Sequence, residues 1–207
     1  MNSIGIHFHP GEEVALGESK WWGDPDLPED MDYPVMNDTP LTFICQIRLR
    51  DIAPYDTEGL LPKDGTLYFF AAIAEYVEKL EVEQDNHNGL GEWSEDSFAV
   101  LYAPEGAALQ TCQLLYDDDD ETPVALPAER ITFTVEDATY DGFKLLGLPY
   151  YDEVREEFTK EISLLQIDEQ DSWGLRLYDC GMLNFLIKPS ELKKREWGKS
   201  KFYFHSF

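Results

Sequence analysis

The chain is short of the residues that usually announce special chemistry or a special setting. Three cysteines, Cys45, Cys112 and Cys180, are spread over 207 residues. They are too few and too scattered for a disulfide framework or a zinc ribbon. Lysine and arginine number 16 against 42 aspartates and glutamates, a formal net charge of −26. A surface of that sign repels phosphate backbones and anionic lipid heads, which removes nucleic acid and membrane from the expected partners. No apolar run approaches the roughly 18 residues a membrane-spanning helix needs. The opening MNSIGIHFHPGEE has neither a basic stretch nor a long apolar one, so the expectation is a cytoplasmic protein without a secretory signal. Nucleophile elbow, Walker loop, His-Glu-x-x-His and Gly-x-Gly-x-x-Gly are all missing. The chain therefore reads as non-enzymatic, with no cofactor and no metal.

What is present is core material. Hydrophobic residues make up 43% and aromatics 14%, which suits a globular domain rather than a disordered chain. Three landmarks also recur in order. Lys20-Trp21-Trp22-Gly23-Asp24-Pro25 and Lys144-Leu145-Leu146-Gly147-Leu148-Pro149 share Lys-x-x-Gly-x-Pro. Phe43–Ile47 and Ser163–Ile167 both close on Gln-Ile. Gly65–Phe70 matches Gly181–Leu186. The offsets are 124, 120 and 116 residues, so the expectation is one domain over 1–207 built by duplication, with halves of about 2–103 and 104–207 related by a pseudo-twofold.

Local patterns are mostly those of strands. Ile4, Ile6 and Phe8 alternate with Gly5, His7 and His9, as Leu41, Phe43, Cys45 and Ile47 alternate with their neighbours. Leu67–Ala72, Phe98–Tyr102, Cys112–Tyr116, Ile131–Val135, Ile162–Ile167, Met182–Ile187 and Lys201–His205 complete the predicted set. Helices are predicted only at Tyr151–Thr159 and Glu191–Glu196, the second with Ser190 as N-cap after Pro189. Gly17–Asn37 is read as an irregular loop, Gln84–Gly91 as a turn around Asn88-Gly89, and Asp117–Glu121 as an acidic tip. Strands that outnumber helices without alternating with them point to an α+β fold with few short helices.

The landmarks resemble the YwqG-like family of bacterial proteins. Ser19–Pro28 is similar to that family's S-K-x-G-G-x-P-x-L-P opening. Pro40–Ile47, Leu61-Pro62, Gly65–Phe70, Lys144–Pro149, Leu164–Asp168, Trp173-Gly174 and Gly181–Ile187 follow its order over about residues 19–205. The chain departs at Trp22, where the family usually has glycine, and at Leu175–Cys180, which is longer than the family's turn. The family is a domain of unknown function, so the resemblance implies a fold and a bacterial cytoplasmic setting but no chemistry.

The residues that could carry function have competing plain readings. His7 and His9 project from one strand face with Glu13 four residues on, as in cupin-type metal sites, but the second box with a third histidine is missing. They read as an exposed imidazole pair. Asp117–Glu121 lacks the glycine and the spacing of an EF-hand loop. Lys20 and Lys144 are either architectural, with stems covering apolar surface beside a glycine turn, or depressed-pKa bases. Gln46 and Gln166 either bridge a neighbouring loop or line a groove between the halves. Lys20, Gln46, Lys144 and Gln166 are therefore the candidate ligand-binding residues. Trp21, Trp22, Tyr33, Tyr68, Trp93, Tyr150, Tyr151 and Trp173 are loop anchors or a binding face. Lys188–Lys201 is a local basic stretch, read as a solvated helix and strand edge.

The expected function is a cytoplasmic binding protein whose acidic surface takes a basic protein partner, with toxin immunity as one form. The alternatives are a small-ligand binder or enzyme with its site between the halves, and a structural part of a larger assembly.

Overall fold

The computed structural model describes residues 1–80, 88–116 and 119–207. Eleven strands form one antiparallel sheet. They are β1 (Ser3–His9), β2 (Lys20–Trp21), β3 (Thr42–Arg48), β4 (Thr66–Ala71), β5 (Gly91–Glu92) and β6 (Phe98–Ala103). The later ones are β7 (Glu129–Glu136), β8 (Lys144–Leu145), β9 (Ile162–Ile167), β10 (Met182–Ile187) and β11 (Lys201–His205). The order is β5-β11-β10-β9-β8-β1-β7-β2-β3-β4-β6. Helices among the described residues are short: α1 (Leu49–Ile52), α2 (Asp152–Glu157) and α3 (Pro189–Leu192), with a few 3₁₀ turns.

This order forces curvature. The edge strands β5 and β6 are separated in the chain only by residues 93–97. Such a connection reaches about 20 Å when extended, whereas eleven flat strands would span nearly 50 Å. The sheet curls until its two ends meet. Phe98 of β6 stacks on Phe202 of β11 at 5.7 Å, and Phe69 of β4 meets Phe185 of β10 at 5.2 Å. The core so enclosed draws on every long strand. It has an aromatic centre in which Trp21 stacks on Trp173 at 5.9 Å, with Phe8, Trp22 and Phe143 edge-on around them.

Outward from the central β1–β7 pair, one side runs β8, β9, β10, β11 and the other β2, β3, β4, β6. The first strands cross over: β1 pairs with β8, and β7 with β2. Both β3–β4 and β9–β10 carry a register slip, between Phe43 and Cys45 and between Ser163 and Leu165. A slip of this kind re-aims side chains on either side of it.

Most predicted strands lie where alternation or a short apolar run put them, and the differences have local causes. Cys112–Leu114 is not strand. Leu109–Thr111 pairs instead with Asp26–Pro28, and the chain then turns, with the Cys112 N–H donating to the Pro25 carbonyl. Gly17–Asn37 is less irregular than expected, since it contributes β2, Asp26–Pro28 and Val35–Met36. The last helix begins at Pro189, with Lys188 as N-cap and no side-chain cap bond, rather than at a Ser190 cap. Proline at the first helical position has its φ preset and no N–H to satisfy, so the helix starts two residues earlier than expected. Helix α1 was not expected. Of the predicted turn at Gln84–Gly91, residues 84–87 lie outside the described residues, as do Asp117 and Asp118 of the acidic tip. Leu115–Tyr116 and Asp119–Pro123 pair antiparallel on either side of that tip. Among the described residues no helix is long and apolar enough to cross a membrane.

Candidate functional site

The four candidate residues come together two and two. Lys20 on β2 is the ladder partner of Gln46 on β3, and Lys144 on β8 is the ladder partner of Gln166 on β9. All four side chains are buried. The same turn follows each lysine. Trp22 (φ 55) and Gly23 (φ 73) are left-handed, as are Leu146 (φ 57) and Gly147 (φ 84). Both glycines are also confined, since a Cβ at Gly23 would lie 2.7 Å from the Ala128 Cβ and one at Gly147 2.6 Å from the Ala138 carbonyl. A left-handed Trp22 is strained where a glycine would not be.

In the first half the lysine meets a carboxylate. Lys20 Nζ donates to Asp26 Oδ2 at 3.0 Å. The same oxygen accepts from the Gly17 N–H at 2.9 Å and Gln46 Nε2 at 2.8 Å, while Asp26 Oδ1 accepts from Thr111 Oγ1 at 2.8 Å. Gln46 also takes the Asp26 N–H on Oε1 and donates to the Glu18 carbonyl. Burial works against the Asp26 charge, but the Gly17 N–H, Lys20 and Gln46 outweigh it and hold the carboxyl below its usual range. Nearby Asp24 goes the other way. Burial raises it, and the Leu114 N–H and Lys20 only partly offset that.

In the second half the carboxylate is missing. Lys144 Nζ donates to the Tyr140 and Leu148 carbonyls at 2.7 Å each and to the Ala138 carbonyl at 3.4 Å. Gln166 accepts the Tyr150 N–H and donates to the Tyr140 and Gly142 carbonyls. Burial, aided by the Arg155 guanidinium and opposed by Asp141, pushes Lys144 down to about 7. Burial likewise lifts Asp168, at the end of this strand, to about 6, with Glu169 and Asp141 adding to it.

Lys20 differs from its counterpart in a second way, because it lines an open cleft of about 450 Å³. Asp24, Asp26 and Thr111 share the cleft, with Val14, Leu16 and Leu126 as apolar walls. A separate groove of about 830 Å³ has the half-buried Met31 and Leu101 on its floor and the exposed Glu29, Asp30 and Asp32 on its rim. The three rim carboxylates are exposed and have no ion-pair partner among the described residues. Asp24, Asp26 and these rim residues were hidden in the sequence by the abundance of carboxylates. The repeat carried one usable signal, since Asp24 and Asp26 align with Leu148 and Tyr150.

The other candidates sit elsewhere. His7 and His9 bond across the ladder to Thr134 and Thr132, at 2.6 and 2.8 Å. Trp21, Trp22, Trp93, Trp173, Tyr68 and Tyr151 are buried anchors, whereas Tyr150 is exposed. In the basic stretch, Lys188 meets Glu161 and Glu191, Lys201 meets Glu92, and Arg195 lies over the Tyr102 ring.

A family model described as a domain of unknown function, DUF1963, matches residues 19–204. No curated protein matches the chain.

Proposed function

Since the chain belongs to the DUF1963 family, whose description assigns no activity, we propose that it is a non-enzymatic cytoplasmic binding protein that engages a basic protein partner. The observation that carries this reading is the groove with Met31 and Leu101 on its floor and Glu29, Asp30 and Asp32 on its rim. A lysine-rich amphipathic segment matches it in both respects: its apolar face covers the floor and its cations meet the unpaired rim. The net charge of −26 adds attraction over about 8 Å at physiological salt. Occupying a basic toxin is one form such binding takes.

The same reading keeps the finer family and ancestry expectations, a YwqG-like bacterial protein made by internal duplication. Supporting the duplication are the two lysine–glutamine ladder pairs, the two left-handed turns after the lysines, and the two register slips. A second reading, a small-ligand binder, rests on the cleft beside Lys20.

The test is a fluorescence titration with a labelled helical peptide of leucine and lysine, against the wild type and the double variant Asp30→Lys/Asp32→Lys. Saturable binding that weakens at least about tenfold in the variant and falls as salt rises supports the reading. Equal binding by both proteins refutes it. A parallel titration with single- and double-stranded DNA and RNA should show no binding. Micromolar affinity abolished by replacing Lys193, Lys194 and Arg195 would return nucleic acid to the partners.

A further inference from the structure

We propose that the cleft beside Lys20 binds a small organic amine with a neutral oxygen acceptor next to its ammonium group, as in an α-amino amide or a peptide N-terminus. The argument begins with what the lysine has and lacks. An ammonium carries three N–H donors. At Lys144 the three acceptors are the Ala138, Tyr140 and Leu148 carbonyls. At Lys20, among the described residues, the single protein acceptor is Asp26 Oδ2, although its side chain is only 8% exposed. The remaining donors belong to a group that lines the cleft, and an oxygen acceptor placed there would take one of them.

Charge then selects the other end of the ligand. Lys20, Asp24 and Asp26 are the charged residues on the lining. Lys20 and Asp26 neutralise one another, which leaves the Asp24 carboxylate. Among the described residues its one protein hydrogen bond is from the Leu114 N–H at 3.3 Å, and a carboxylate has about four acceptor sites. A monovalent ammonium at Asp24 brings the site to neutrality. A free anion would take the lysine donors but would face both aspartates. A bare divalent cation would face Lys20 with one uncommitted carboxylate to hold it. A ligand with an ammonium and a neighbouring carbonyl satisfies both poles. The volume of about 450 Å³ falls in the usual range for small-molecule sites, and Val14, Leu16 and Leu126 suit an apolar side chain on the ligand. This proposal stands apart from the acidic groove, which has different lining residues.

Isothermal titration with leucinamide, the tripeptide Leu-Gly-Gly and N-acetyl-leucinamide tests it. Saturable binding of leucinamide or the tripeptide, and none of the acetylated probe, is expected. Tighter binding of the tripeptide identifies a peptide terminus, and tighter binding of leucinamide a free amide. Asp24→Asn should weaken the bound probe about tenfold or more, the loss of one charge-assisted contact, with Asp30→Lys/Asp32→Lys as the unaffected control. Leu16→Arg, at a side chain already 60% exposed, puts a fixed cation at the mouth and should weaken binding without depending on how Asp24→Asn folds. Failure of both amines to saturate, equal binding of the acetylated probe, or full affinity in both cleft variants overturns the proposal.

Discussion

Lys20 and Lys144 occupy matching ladder positions, each beside a glutamine and each ahead of a left-handed turn, yet they live in different electrostatics. One meets Asp26 and lines a cleft, and the other is closed off by backbone carbonyls. The two solutions show that this turn accommodates a buried amine by more than one route. Carbonyls satisfy its hydrogen bonds without cancelling its charge, so burial wins and the proton is loosened. A carboxylate cancels the charge and frees donors, at the cost of a second buried ion that depends on the first. The carbonyl cage is a structural plug, and the ion pair has capacity to spare.

The sharpest way to break this comparison is to remove each amine in turn. Lys20→Met strands the Asp26 carboxylate in the interior and should cost about 3–5 kcal/mol. Lys144→Met leaves three carbonyls short of a donor but no charge, and should cost about 1–3 kcal/mol. Urea denaturation at neutral pH measures both, and an equal or larger loss for Lys144→Met would show that Asp26 does not make the first lysine special.

The pH profile sharpens the same contrast. With Lys144 pushed down to about 7, the unfolded chain holds a proton between about pH 7 and pH 10 that the folded chain has released. Stability should therefore rise with pH across that window, by an amount on the order of a few kcal/mol. Lys144→Met should flatten this rise. Asp26 acts at the other end of the scale. Its depressed carboxyl contributes stability above the ordinary aspartate range, and that contribution is lost as pH falls through its folded pKa. A profile for Lys144→Met that keeps the alkaline rise would remove Lys144 as its source.

The smallest expected difference is between the two glutamines. Gln46→Leu and Gln166→Leu each delete three hydrogen bonds of a buried side chain, and each should cost about 2–3 kcal/mol. Gln46→Leu should be the worse by about 1 kcal/mol, because one of its bonds is to a charged oxygen. Thermal denaturation of the two variants resolves the order, and the reverse order would mean that Asp26 is held without Gln46.

Much of this architecture was legible from residues. Alternation located β1 and β3 through a period of two in their side chains, and short apolar runs located strands such as β4, which is buried at every position. The Lys-x-x-Gly-x-Pro landmarks marked the two turns, since glycine answers a positive φ. Four-residue α1 left no periodic trace, and the Pro189 start depended on which local signal won. The candidate site was legible only in part. Lys20, Gln46, Lys144 and Gln166 stood out by recurrence. Asp26 did not, because a carboxylate in so acidic a chain carries no mark until its partners are known.

The amino-acid sequence by itself determined the strand-rich class, the paired landmarks, the acidic excess and the placing of most elements, all of which follow from local periodicity, composition and backbone preference. The tertiary structure alone decided that β1 pairs with β8 and β7 with β2, and that the sheet curls until Phe98 meets Phe202. It also decided that Thr111, 85 residues away in the chain, bonds to Asp26. The physical reason is that these outcomes depend on which distant groups share the same buried space. A charge or an amide is settled there by whatever partner the closed sheet brings within about 3 Å.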